Sequence, residues 1–247
     1  MKKLLSLLGA TLLVLTSCSN DDSNSSNPTA TILVKKTSTV HNGKTYTEDY
    51  AYSGNKIVSI VDSDGNKTAY TYTGDFITKI VDTDNKGVVD YTIEFSYTNS
   101  KLTSKTTYES GAQYKYRTKY VHNTDGTISF EEFRISVATG VEQEYGSIGK
   151  YTYKDGNLSK KERSYYGSES ITSYEYDTKN NPFKNVLGFN LLIDNEYYSI
   201  NNVVKITYSK SNEVFSNTYI YNADGFPTEQ KAFRNGVLSD GITTFIY

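Results

Sequence analysis

The chain has 247 residues, a formal net charge of −2, 24 Tyr, 10 Phe, 3 Pro, no Trp and one Cys. The near-neutral charge and the lack of a basic cluster exclude a nucleic-acid surface, which needs a concentrated positive footprint. A single cysteine excludes an internal disulfide, and no apolar stretch reaches the roughly 20 residues of a membrane-spanning helix.

The first element in chain order is an export signal. Met1-Lys2-Lys3 is a basic start and Leu4 to Val14 is an apolar run of signal-peptide length. Leu15-Thr16-Ser17-Cys18 matches the bacterial lipobox. Residues 1–17 are therefore expected to be cleaved, leaving Cys18 as the acylated first residue and the contact with the membrane. Acylation also removes a free thiol from a protein exported to an oxidising compartment. Ser19 rather than Asp stands directly after Cys18, so the usual signal for inner-membrane retention is missing. Ser19-Asn20-Asp21-Asp22 resembles the short acidic signals that send lipoproteins of Bacteroidota to the outer face of the outer membrane. A solvated acidic tether accounts for the same residues. Residues 18–28 read as the acylated cysteine and a flexible linker, because Ser, Asn, Asp and Pro bury no apolar surface. Cleavage would leave about 24 basic against 28 acidic side chains, a net charge of about −4.

Residues 29–247 read as one antiparallel β-repeat domain. Tyr, Phe, Thr, Val and Ile suit a pleated, half-buried surface, and no long segment has helical periodicity. A unit recurs in which Tyr-x-Tyr leads into a polar turn and then Ile or Leu. It runs Tyr50-Ala51-Tyr52 to Ile57, Tyr70-Thr71-Tyr72 to Ile77, Phe95-Ser96-Tyr97 to Leu102 and Tyr151-Thr152-Tyr153 to Leu158. Tyr174-Glu175-Tyr176, Tyr219-Ile220-Tyr221 and Phe245-Ile246-Tyr247 continue it. Such a period points to a repeat architecture. Asn42-Gly43, Asp125-Gly126, Asp224-Gly225 and Asn235-Gly236 are hairpin dipeptides, since both residue types adopt positive φ. Two turns per period give about sixteen strands of about 8 to 11 residues in an up-and-down meander. Accumulated twist must curl that sheet or close it into a barrel.

Within strands the alternation puts Tyr46, Glu48, Tyr50 and Tyr52 on one face. Tyr91, Ile93, Phe95 and Tyr97 likewise face away from Thr92, Glu94 and Ser96. Asn180-Asn181-Pro182-Phe183-Lys184-Asn185-Val186-Leu187-Gly188-Phe189 breaks the pattern. Asn181 can cap a short helix with Pro182 first and Gly188 near its end. Phe183, Val186, Leu187 and Phe189 would then plug or cover the aromatic sheet face; an exposed binding loop is the competing reading.

Tyr219-Ile220-Tyr221-Asn222-Ala223-Asp224-Gly225 resembles the tyrosine/aspartate (YD/RHS-like) repeats of bacterial surface and toxin-shell proteins. With the lipobox and the Asn-Asn-Pro-Phe-Lys-Asn insert, the chain resembles a Bacteroidota surface lipoprotein family of unknown function described as having a porin-like β fold. The resemblance covers nearly all of residues 29–247 and implies no catalytic residue. The repeat departs from the pattern at Thr118-Lys119-Tyr120-Val121-His122, where His122 replaces the second tyrosine.

Chemistry-bearing patterns are sparse. His41 and His122 stand beside turn residues and read as solvent-facing, without the partners of a metal site or a triad. Gly146-Ser147-Ile148-Gly149 is one residue short of a nucleophile elbow, and Gly149-Lys150 precedes Tyr rather than Ser or Thr. Asp62-x-Asp64-Gly65-Asn66 and Asp82-x-Asp84-x-x-Gly87 resemble cation loops but lack the later bidentate Glu, so turn chemistry is the simpler account. Glu131-Glu132 and Glu142/Glu144 could supply a glycosidase pair if they converged; exposed strand-face acids are the plainer reading. The regular tyrosine spacing suits a structural aromatic ladder better than a ligand surface.

The sequence thus points to a non-enzymatic, lipid-anchored scaffold or binding module of the cell surface, without cofactor or metal. Its partners would be the membrane through Cys18 and a glycan or protein. The alternative is a surface carbohydrate-active enzyme or a glycan-binding component of polysaccharide utilisation. A membrane-embedded barrel is disfavoured, because its strands would need an apolar outer band.

Overall fold

The structure, a computed structural model, describes residues 31–194 and 198–247. The expected signal segment, Cys18 and the linker to residue 28 lie outside the described residues. Sixteen strands follow one another. They begin with β1 (Lys36–His41), β2 (Lys44–Ser53), β3 (Lys56–Asp62), β4 (Lys67–Thr73) and β5 (Phe76–Thr83). β6 (Val89–Thr98), β7 (Lys101–Glu109), β8 (Tyr114–His122), β9 (Ile128–Ser136) and β10 (Glu142–Lys154) continue the series. β11 (Asn157–Tyr165), β12 (Ser168–Asn180), β13 (Asn201–Tyr208), β14 (Val214–Tyr221), β15 (Pro227–Arg234) and β16 (Val237–Ile246) complete it. Each pairs antiparallel with its neighbours in sequence. β1 pairs with β16 from Lys36↔Ile246 to Val40↔Ile242, which closes the barrel and leaves no edge.

Turn chemistry sets the hairpins. Asn42-Gly43 and Asn235-Gly236 have positive φ at both residues and form two-residue turns, as expected, and Asp155-Gly156 does the same. Asp125-Gly126 and Asp224-Gly225 differ from that expectation. They belong to five-residue turns, Asn123–Thr127 and Asn222–Phe226, which match Asp62–Asn66 and Asp84–Val88. In each, the first N–H donates to the fifth carbonyl, and the fourth-position glycine N–H donates back to the first carbonyl. Asp62 Oδ1 accepts from the N–H groups of Asp64 and Asn66, both at 2.9 Å, and Asp84 Oδ1 from those of Lys86 and Val88, both at 2.8 Å. These carboxylates stitch their own turns, as the simpler reading of the cation-like loops expects.

Period two divides the wall into two chemically different faces. Inward stand Tyr50, Ile60, Tyr70, Ile80, Phe95, Tyr120, Phe130 and Tyr151, packed into one core. Outward stand mainly Thr, Ser, Lys and Glu, which pair across strands, with Val121, Ile148, Ile171 and Ile220 exposed among them. Lys79 meets Glu94 at 3.6 Å, Arg117 meets Glu142 at 2.9 Å, Lys150 meets Glu162 at 3.8 Å and Lys205 meets Glu175 at 2.8 Å.

The insert between β12 and β13 lies at the rim that carries the tyrosine turns. It is not the expected capped helix. Asn181 Oδ1 does accept the Phe183 N–H at 2.8 Å, but the backbone then makes successive i to i+3 turns. The only regular piece among the described residues is a 3₁₀ turn, Phe189–Leu191. The expected burial is met in part. Val186, Phe189, Leu192 and Ile193 join the core and Phe183 packs against it, whereas Leu187 is only half-buried. Leu187 is held by its backbone instead: its N–H donates to the Asn55 carbonyl at 2.9 Å, and its own carbonyl accepts the Tyr72 hydroxyl at 3.0 Å.

Candidate functional site

At the insert rim the repeated tyrosines have a backbone task. The β5·β6 ladder ends at Lys79↔Glu94, β7·β8 at Ser104↔Lys119, β11·β12 at Lys160↔Ser173 and β15·β16 at Glu229↔Thr244. Beyond those pairs the carbonyls at the strand starts lack a ladder donor, and an unmet buried carbonyl is costly. Tyr97 donates its hydroxyl to the Ile77 carbonyl at 2.9 Å, Tyr176 to Leu158 at 2.8 Å and Tyr247 to Pro227 at 2.8 Å. His122 Nε2 meets the Leu102 carbonyl at 2.9 Å. A carbonyl only accepts, so Nε2 carries the hydrogen in this contact. His122 is therefore not the solvent-facing turn residue expected from sequence; it occupies the tyrosine's place with another N–H/O–H donor of similar reach. The expected aromatic ladder is largely one of hydroxyl to carbonyl. His41 remains at its turn, with Nε2 2.8 Å from Asn42 Nδ2.

Tyrosines at this rim are desolvated, and burial is the first cause that pushes Tyr72 and Tyr198 up to about 12 and raises Tyr52, Tyr97 and Tyr153 too. The unfolded chain ionises near the ordinary tyrosine value of roughly 10, before the folded one. The associated stability is thus complete below pH of about 10 and is lost as pH rises towards 12 and beyond. Alkaline titration should show these tyrosines ionising together with the loss of β circular dichroism. Ionisation at the ordinary value with the β signal intact would contradict the ladder.

The lumen above the insert is lined by a belt of charge. Lys105 pairs with Asp194, which the insert places under the lumen, and the Tyr120 hydroxyl lies 3.4 Å from Asp194. Burial, then the Asp194 charge, raises Tyr120. Arg163 donates to Glu132 at 2.8 Å and to Ser147 Oγ at 2.8 Å. Lys161 stands 5.5 Å from the Tyr151 ring centroid, and burial pushes its ammonium down. Water still reaches this belt, because the Arg163 side chain keeps 36% of its surface.

At the opposite rim the lumen carries a tyrosine cluster that sequence reasoning missed. Tyr116 lies 5.0 Å from Tyr145, Tyr145 lies 5.8 Å from Tyr165, and Tyr165 lies 4.7 Å from Tyr166. A β-bulge at Tyr145-Gly146 turns Tyr145 towards its neighbours. Only Tyr165-Tyr166, a pair outside the Tyr-x-Tyr pattern, could have signalled the cluster.

The candidate catalytic carboxylates do not converge. Glu131 and Glu132 lie on opposite sides of the wall, as period two requires: Glu131 lines an outer concavity of about 690 Å³, while Glu132 holds Arg163 in the lumen. Glu142 lies outside between Lys119 and Arg117, whose bonds and charge hold its carboxyl below the ordinary range, the wrong direction for a general acid. Ser147 Oγ accepts from Arg163 Nε at 2.8 Å, and the Glu132 carboxylate across the ladder is taken up by the same guanidinium. Among the described residues no group of three or more potential ligands could hold a metal.

Neither a scan against protein-family models nor a search of curated proteins gives a match. Among solved structures, the chain is similar to a porin-like protein from Bacteroides uniformis, with a TM-score of 0.52 and 16% identity, over 86% of this chain and 97% of that one. A weaker likeness, TM-score 0.24 and 14% identity, covers 81% of this chain and 10% of a chain in the TcdB2-TccC3-TEV structure and carries no argument. The first likeness establishes the fold: the chain has the closed, sixteen-stranded antiparallel architecture of a porin-like barrel.

Proposed function

We propose that this chain is a non-enzymatic, lipid-anchored binding module of the bacterial outer membrane, whose ligand compartment is the barrel lumen. The observation that carries this reading is the polarity of the wall. Lys79, Glu94, Lys119, Lys150, Glu162, Glu175 and Lys205 form a charged waist on the outer face near the middle of their strands. A lipid-facing Lys or Arg at that depth costs about 2 to 4 kcal/mol, and a spanning barrel shows an apolar band there. The barrel suits water outside, with aromatic packing against the insert inside and a water-accessible belt of Arg163 and Glu132 beyond it. Membrane attachment then falls to another part of the chain, and Leu15-Thr16-Ser17-Cys18 supplies it. The likeness to a porin-like protein of Bacteroides uniformis supports a bacterial envelope setting, and Ser19-Asn20-Asp21-Asp22 favours the outward face.

The enzyme alternative is less well supported. Four lumen carboxylates are engaged: Asp194 with Lys105, Glu132 with Arg163, Asp82 with Thr68 and Glu48 with Thr37 and Tyr50. Glycan binding without catalysis stays within the proposal.

Cys18→Ala should abolish acylation and move the full chain from the detergent-rich to the aqueous phase in a cloud-point separation. Retention of the variant in the detergent phase, with the barrel intact by circular dichroism, would show that the barrel itself holds the membrane and would overturn the proposal.

A further inference from the structure

We infer that the tyrosine cluster at the open rim binds an acidic oligosaccharide, with sugar rings against Tyr166 and Tyr165 and an anionic substituent on Arg134. The inference rests on the lumen being the ligand compartment and names its ligand class.

Tyr166 is the first sign. Four other two-residue turns place Asn42, Asn99, Asp155 and Asn235 at the first position, with φ between 49° and 51°. Asn and Asp tolerate the left-handed region well. The β11–β12 turn places Tyr166 there at φ 46°. A bulky aromatic in this conformation is an outlier, and such strain concentrates at functional sites. Burial does not explain the choice, because Tyr166 is 70% exposed. Its ring lies over Gly146, where a Cβ would come within 2.5 Å of it, and 4.7 Å from the Tyr165 ring. The Tyr166 backbone N–H donates to the Gly146 carbonyl at 2.8 Å. An exposed aromatic face supported from one side is a stacking surface.

The hydroxyls are the second sign. Tyr116 and Tyr165 flank Tyr145, with ring centroids 5.0 and 5.8 Å from it. Three phenolic groups thus gather at the rim, each able to donate and to accept a hydrogen bond.

Arg134 is the third. It lies directly across from Tyr116 in the β8·β9 pairing. Its guanidinium stands 5.2 Å from the Tyr114 ring centroid and donates to Gln143 Oε1 at 3.2 Å. Among the described residues it makes no ion pair, and its Nε is buried without a hydrogen-bond partner. Its neighbour Arg163, by contrast, is matched by Glu132. An unmatched planar fork beside aromatic faces suits a carboxylate or sulfate and gives no advantage to a neutral sugar. Uronate and sulfate esters share this chemistry.

Titration calorimetry on the full acylated chain in detergent micelles tests the inference, with three probes: an oligogalacturonate, its fully methyl-esterified form, and a sulfated galactan oligosaccharide. Binding of either acidic probe, weakened at least about tenfold by Arg134→Gln and absent for the methyl ester, is the expected result. Uronate and sulfate are told apart by which acidic probe binds. Tyr166→Asn supplies the second variant. It places a favoured residue in the turn, so melting should be unchanged or raised while affinity falls at least about fivefold through the lost stacking face. Failure of both acidic probes, equal binding of the methyl ester, or full affinity in either variant would overturn the inference. The anchor proposal is tested separately by Cys18, and tight binding of the neutral ester would leave a binding module with a different ligand.

Discussion

Gly241→Ala is expected to destabilise the protein by about 3 kcal/mol or more, because two costs coincide at the seam that closes the barrel. Gly241 has φ +82°, and a side chain in the left-handed region costs roughly 1 to 2 kcal/mol. A Cβ there would also come within 2.1 Å of the Val40 carbonyl oxygen on β1. That oxygen is backbone, so the clash is relieved only by shifting β1 from β16, and overpacking of this kind costs typically about 1 to 3 kcal/mol. The neighbouring Val40↔Ile242 pair is the last of the seam, and parting it exposes two strand edges. Gly43→Ala is the matched control. Its φ is +75°, but nothing lies within 4 Å of its Cβ position, so only the conformational cost of about 1 kcal/mol applies. Urea denaturation of the two variants separates the terms. Equal midpoints would mean that the seam yields freely and that closure contributes little to stability.

Phe189→Ala is expected to cost about 3 to 5 kcal/mol, the range for truncating a buried aromatic. Phe189 is 7% exposed. Its ring lies 6.0 Å from Tyr70 on the wall, 6.0 Å from Phe183 and 5.3 Å from Tyr198. It therefore joins the insert to the barrel, and its removal leaves a cavity between elements that cannot collapse independently. Asn190→Ala, at the adjacent exposed position, should stay within about 0.5 kcal/mol. Chemical denaturation distinguishes a plug from a loose cover: a Phe189→Ala effect near that of Asn190→Ala would mean that the insert merely rests on the rim.

Much of this architecture was legible in the residues. The Tyr-x-Tyr-turn-Leu period, the Asn-Gly and Asp-Gly turns and the alternation of Tyr50 with Ala51 gave the strands, their order and the aromatic face, because turn φ and period two are local properties. The insert announced itself by losing the alternation at Asn181-Pro182, and its apolar side chains were expected to seek cover. Its conformation was less legible. Asn181, Pro182 and Gly188 suit a helix, yet the Asn55 carbonyl and the Tyr72 hydroxyl bind the backbone of Leu187 and favour a chain of turns. Those partners lie 132 and 115 residues away in sequence, beyond any local rule.

The sequence by itself determined the number of strands, the sign of each wall face and the place where the meander is interrupted, since each follows from neighbours along the chain. Tertiary structure alone decided closure through β1 and β16, the role of His122 as a tyrosine's substitute, the separation of Glu131 from Glu132, and the meeting of Tyr116, Tyr145, Tyr165 and Tyr166 beside Arg134. Each depends on register summed around sixteen strands or on a bulge that redirects one side chain. A single residue of slip would turn the same groups to the other face of the wall.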